Sequence, residues 1–151
     1  MPAVSLREIL DGMEMSSDAF RSYVDPDSGR VVTISDDDEA LLERDELPED
    51  LPAWQQDSMA ELKKLDLERL LPLPDRSDIH EWAIMKQFAD AVSQPEQREA
   101  LLDAIHGKGA FRAFRRELER LRLGDAWREH RDLAFRRIAE DWLKAHGLEC
   151  R

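Results

Sequence analysis

The chain has 151 residues, 42% hydrophobic and 37% charged, with a net charge of -12; that is enough length for one domain of ordinary size and too apolar a composition for the disordered class. No apolar run reaches the length of a membrane span, and residues 1–15 carry Arg7, Glu8, Asp11 and Glu14 instead of a basic start and an apolar stretch. The single cysteine, Cys150, has no partner for an intrachain disulfide, so the sequence predicts a cytoplasmic protein with no membrane association and no catalytic thiol.

In chain order, VSLREILDGMEM spaces Val4, Leu6, Ile9, Leu10 and Met13 for a short amphipathic helix, with Ser5 as N-cap and Glu8 three residues on. FRSYV and RVVTI, around 20–24 and 30–34, read as two strands joined by Asp25-Pro26-Asp27-Ser28-Gly29, a β-hairpin in which Tyr23, Val32 and Ile34 supply pairing or core contacts. Ser35 before DDDE reads as a helix start, because its hydroxyl and the early carboxylates satisfy open N–H groups. A helix over about 53–70 follows, anchored by Trp54, Met59, Leu62, Leu65 and Leu70, and LPLPDRSD (71–78) reads as a corner with Ser77 or Asp78 capping the next helix.

Ile79 to Val92 then fits a helix with a wide buried stripe that includes Trp82 and Phe88, and Pro95 opens a helix to about 106 that Gly107 and Gly109 stop. The next helix, 110–122, carries Phe111, Phe114, Leu118 and Leu121 on one face; Gly124 ends it, and Asp125 caps the last helix, 126–145, with Trp127, Ala134, Ile138 and Trp142 on its buried side. The fold class that results is α+β: predominantly helical, with a short N-terminal antiparallel β-hairpin and a C-terminal helical unit. It forms a single domain over 1–151, divisible into an acidic hairpin-containing part (1–70) and a helical part (75–149). The candidate core is Trp82, Phe88, Phe111, Phe114, Trp127 and Trp142.

The segment from MKQFADAV to KAHGLE resembles the uncharacterised bacterial protein family numbered 0158 over about residues 70–149. Gly107-Lys108-Gly109-Ala110-Phe111-Arg112, Phe114, Trp127, Arg131, Trp142 and Leu143 stand in the expected order, and YVDPDSGRVVTI is similar to that family's weaker N-terminal part. His130 departs from the pattern, which has an aromatic such as Phe or Tyr there. The resemblance implies a common fold and supplies no reaction.

The charge is polarised. Residues 1–95 hold 9 basic and 23 acidic side chains, a balance of -14, while 96–151 hold 13 and 11, a balance of +2. Within 106–137 there are 10 Lys or Arg against 5 Asp or Glu, the one local footprint suited to a polyanion. HGKGAFRAFRRE lies at its start. It is no nucleotide loop, because Gly-Lys-Gly lacks the four-residue spacing and the magnesium-binding hydroxyl. Two readings stand: an anion or partner site formed by Gly107, Lys108, Gly109, Arg112, Arg115, Arg116 and Arg120, or a helix corner in which Gly109 permits close approach and Phe111 and Phe114 lock the packing. The other reading of the arginine row is a solvated face stitched to Glu119 and to the chain's own acidic half, the usual role of exposed charges.

Asp25 to Gly29 begins like a calcium loop, but the glycine comes one position early and the closing Glu is missing. His80-Glu81 lacks the second histidine of a zinc-protease helix, His146 with Cys150 offers only two ligands, and His130 is pH-sensitive if buried. No catalytic, metal-binding or cofactor-binding residues can be nominated, and no cofactor is implied. The expected function is that of a noncatalytic interaction or regulatory protein with a protein partner; the alternative is binding of RNA or a phosphate ligand at the glycine corner and arginine helix, and a hydrolase using the acidic residues lacks a coherent motif.

Overall fold

The computed structural model describes residues 3–17, 19–43, 49–65 and 67–150, the side chains of Arg76 and Ser77 apart. The fold is α+β, and the chain divides into two compact units: Met1–Asp75 with Ala139–Arg151, and Arg76–Ile138. The C-terminal segment therefore belongs with the N-terminal part, unlike a division at 70–75 with everything beyond on one side.

In the first unit, β1 (Ala3–Val4) leads into α1 (Leu6–Met15), whose first turn is capped by Ser5 Oγ accepting from the Glu8 N–H. One face of α1 buries Ile9, Gly12 and Met13. The helix packs tightly on the hairpin of β2 (Phe20–Val24) and β3 (Val31–Ser35): a Cβ added to Gly12 would lie 2.8 Å from Leu73 Cδ1 and 3.2 Å from Ser22 Cβ. Asp25 organises the turn. Its carboxylate accepts from the Asp27 N–H at 3.1 Å and the Ser28 hydroxyl at 2.8 Å, and its carbonyl accepts from the Gly29 N–H at 2.8 Å. These acceptors are consumed by turn formation.

The hairpin does not stand alone. β4 (Leu71–Pro72) joins the other side of β2, with Tyr23 opposite Pro72, so the segment expected as a corner completes a three-stranded sheet ordered β3-β2-β4. Proline is compatible with that position because an edge strand does not need every N–H. Val32, Ile34 and Leu70 form a core cluster with Tyr23, Leu42, Leu62 and Leu65 packed against it. The acidic run caps as expected: Ser35 Oγ accepts from the Asp38 N–H at 3.0 Å at the start of α2 (Asp36–Leu42). The following α3 (Ala53–Lys63) ends seven residues earlier than its apolar spacing suggests, because Leu65 and Leu70 serve the sheet from outside the helix. Trp54, expected as an anchor, is 70% exposed and lies outside the core; Met59 is the buried residue of α3. Finally β5 (Glu149–Cys150) runs parallel to β1, Ala3 opposite Glu149 and Val4 opposite Cys150.

The second unit is helical: α4 (Arg76–Ile79), α5 (Glu81–Ala91), α6 (Pro95–Ala104), α7 (Ala110–Arg120) and the first part of α8 (Gly124–Ala145), a helix that continues into the first unit. His80, at φ 53°, separates α4 from α5 and occupies the N-cap expected of Ser77 or Asp78. The core is Met85, Phe88, Ala89, Leu101, Ile105, Phe114 and Leu118, with Trp127 packed against it. Phe88, Phe114 and Trp127 meet edge to face, with centroid separations of 6.4, 5.5 and 5.0 Å, the arrangement that opposes ring edges to ring faces.

The end of α7 also differs from expectation. Arg122, at φ 57°, takes the left-handed position; its N–H donates to Glu119 O and the Leu123 N–H to Leu118 O, which together make a Schellman turn. Gly124 is the first residue of α8 rather than the stop of α7, and Asp125 lies in that first turn, paired with Arg128. The same turn closes α8, where the Leu148 N–H donates to Leu143 O at 2.9 Å with Gly147 at φ 65°.

Candidate anion or partner interface

The corner between α6 and α7 is set by backbone conformation. Gly107 and Gly109 have φ of 95° and 74°, values that side-chain-bearing residues adopt only at a cost. A Cβ at either would meet nothing within 4 Å, so the expectation that Gly109 permits close approach is corrected: the glycines serve the turn. Gly109 is the N-cap of α7 and supplies no side-chain acceptor, which leaves the early N–H groups of that helix open to another acceptor.

Lys108, Arg112, Arg115, Arg116 and Arg120 are all exposed beside or along α7. They are not equivalent. Arg120 donates to Glu117 Oε2 from Nε at 2.9 Å and from Nη2 at 2.6 Å, and this hydrogen bond, with the adjoining negative charge, raises its pKa further. No ion pair engages Lys108, Arg112, Arg115 or Arg116 among the described residues. Arg116 and Arg120 also edge a shallow cleft of about 380 Å³ between α6 and α7, floored by Ala100, Ala104 and Ala113 and bordered by Asp103 and Glu117.

Two residues expected in the core lie outside it. Phe111 is 53% exposed and Trp82 41% exposed, whereas Phe88 and Phe114 are buried and Trp127 and Trp142 are half-buried. Phe111 follows the helical stripe of Phe114 and Leu118, yet it lies in the first turn after two glycines and the exposed Lys108, which put no apolar side chain over it. Spacing fixes a side chain's direction but not whether anything covers it. Trp82 sits at the start of α5 and donates its indole N–H to Ile105 O at 2.9 Å, satisfying a carbonyl at the end of α6, with its ring centroid 6.4 Å from that of His106. The amphipathic indole thus serves a helix end at the surface. Trp142 does similar work in the first unit, donating to Pro72 O at 3.1 Å.

Sequence spacing also misses a polar pair. Arg131 Nε donates to Glu81 Oε1 at 2.7 Å across 50 residues, and its guanidinium lies 4.1 Å from the Phe135 ring centroid. Next to it, His130 packs against Phe88 and Trp127 at centroid separations of 5.4 and 6.1 Å, and its Nε2 is buried with no hydrogen-bond partner among the described residues. His146 lies beside Trp142, centroids 4.5 Å apart, and Cys150 is exposed. Among the described residues no three His, Cys, Asp or Glu side chains form a metal-holding group, and no helix is long and apolar enough to cross a membrane.

The family model described as uncharacterised protein family UPF0158 matches residues 2–150. No curated protein and no solved structure matches the chain.

Proposed function

The chain belongs to the uncharacterised protein family UPF0158, and on that footing we propose that it is a noncatalytic cytoplasmic interaction protein whose contact surface is the glycine corner and α7, taking an acidic segment of a partner protein. One observation carries this reading: the corner and the first turns of α7 hold the exposed Phe111 together with the exposed Lys108, Arg112, Arg115 and Arg116, and none of these four cations has an ion-pair partner among the described residues. An exposed aromatic among cations gives an apolar anchor with a charge-selective surround, the composition of an interface centre more than of a solvated face. Planar guanidinium groups add bidentate recognition of carboxylates.

The same exposed ring favours a second reading, RNA. Single strands bind where aromatic faces stack bases beside cations that track phosphates, and Trp82 with His106 offers a second ring surface at the same corner. The net charge of -12 weighs against long-range attraction of a polyanion, which places RNA second.

Titration of the protein with an acidic, aromatic-containing peptide and with a single-stranded RNA oligonucleotide, at two salt concentrations, separates the readings. Peptide binding that Phe111→Ala and Arg112→Ala/Arg116→Ala each weaken roughly tenfold supports the first. Preferential oligonucleotide binding, with a salt slope that Lys108→Ala reduces by about one, replaces it with the second. Failure of both probes to bind, or turnover of a metabolite abolished by one polar substitution, overturns the proposal.

A further inference from the structure

Strand β3 lies at the margin of its sheet, with β2 as its strand neighbour among the described residues. Both ends of the hairpin fix its hydrogen-bonding parity. The Asp25 N–H donates to Arg30 O at 2.8 Å and the Asp36 N–H to Ala19 O at 2.9 Å, while Tyr23 stands opposite Val32 and Arg21 opposite Ile34. Residues 30, 32, 34 and 36 thus bond toward β2, and the N–H and C=O of Val31 and Thr33, with the N–H of Ser35, point the other way. The faces of the sheet are occupied, by α1 against Ser22 and by the cluster around Val32 and Ile34. Its open resource is this edge. The edge sequence VVTIS holds no lysine, proline or charge of the kind that discourages strand addition.

We infer that β3 pairs antiparallel with β3 of a second copy of this chain, about a two-fold axis at Thr33. Parity admits only even displacements between the two strands. The register centred on Thr33 overlaps residues 31–35 completely, sets Val31 opposite Ser35, and brings Arg30 opposite Asp36 of the second copy at both ends. Arg30 and Asp36 are exposed, and neither is in an ion pair among the described residues. The strand is therefore self-complementary in charge as well as in hydrogen bonding, as an isologous contact requires. At about 3.3 Å per residue the two Asp36 positions stand about 20 Å apart, beyond the roughly 8 Å screening length at physiological ionic strength. The acidic starts of the two α2 helices are kept apart while each faces the other copy's arginine.

Sedimentation equilibrium from low micromolar to near-millimolar protein tests the contact, together with amide hydrogen exchange at the two extremes. The expected result is a concentration-dependent dimer in which the Val31, Thr33 and Ser35 amides gain protection. Arg30→Asp and Asp36→Arg should each weaken the dimer roughly tenfold, since two like-charge pairs are created per dimer, and the double exchange should restore it. Thr33→Pro removes an outward N–H and should abolish dimerisation; circular dichroism shows whether that variant folds, and the charge exchange decides the matter if it does not. A monomer at every concentration, a dimer whose edge amides stay unprotected, or a dimer indifferent to the charge variants overturns the inference.

Discussion

Glycine 12 and glycine 124 make opposite predictions for the same substitution. Alanine at Gly12 improves intrinsic helix propensity by up to about 1 kcal/mol, but its methyl group would press into Leu73 and the Ser22 Cβ, and overpacking of a fitted contact costs about 1–3 kcal/mol. Gly12→Ala should lower the urea midpoint. At Gly124, the first residue of α8, nothing lies within 4 Å of an added Cβ, so Gly124→Ala should leave stability unchanged or raise it by up to about 0.5 kcal/mol, measured in the same titration. His130 offers a third test. Its buried Nε2 lacks a partner among the described residues while its ring packs on Phe88 and Trp127. His130→Phe keeps the aromatic contacts and removes the orphan atom, and should stabilise by about 1 kcal/mol, read as a higher midpoint at constant slope.

Among the elements, the two Schellman turns differ in the residue at the left-handed position: Gly147 after α8, Arg122 after α7. A side chain there costs about 1–2 kcal/mol, so Arg122→Gly should raise the melting temperature by several degrees, less whatever the glycine gains in unfolded freedom. Helix starts were legible where the signal is local: Ser5 and Ser35 cap through their own hydroxyls, and Pro95 opens α6. Helix ends were less so, because Arg122 rather than a glycine turns the chain and Leu65 and Leu70 belong to the sheet. Within the candidate site the cations and glycines were legible from composition. The exposure of Phe111 and Trp82 was not, since it depends on the absence of a covering group and on a carbonyl 23 residues away. Strand β4 was hidden for a related reason: two residues, one a proline, carry no periodicity of their own.

At the scale of the whole molecule, segments distant in sequence close the first unit. Leu148 is buried behind the α8 turn, and β5 supplies the partner of β1, where Val4 is fully buried. Leu148→Ala should therefore cost about 2–4 kcal/mol, and hydrogen exchange should accelerate at Val4 and along α1, far earlier in the sequence, before it does so in Arg76–Ile138. Uniform acceleration through both units would contradict that division.

The parallel pairing of β1 with β5 also carries a consequence for biosynthesis. Arg76–Ile138 is continuous in the chain and packs through nearby helices, so it can complete its contacts as soon as it has emerged from the ribosome, whereas Ala3 and Val4 must wait for Glu149 and Cys150. Strand β1 thus finds its partner only after all of Arg76–Ile138 has been synthesised, and the first unit waits through that interval for β5.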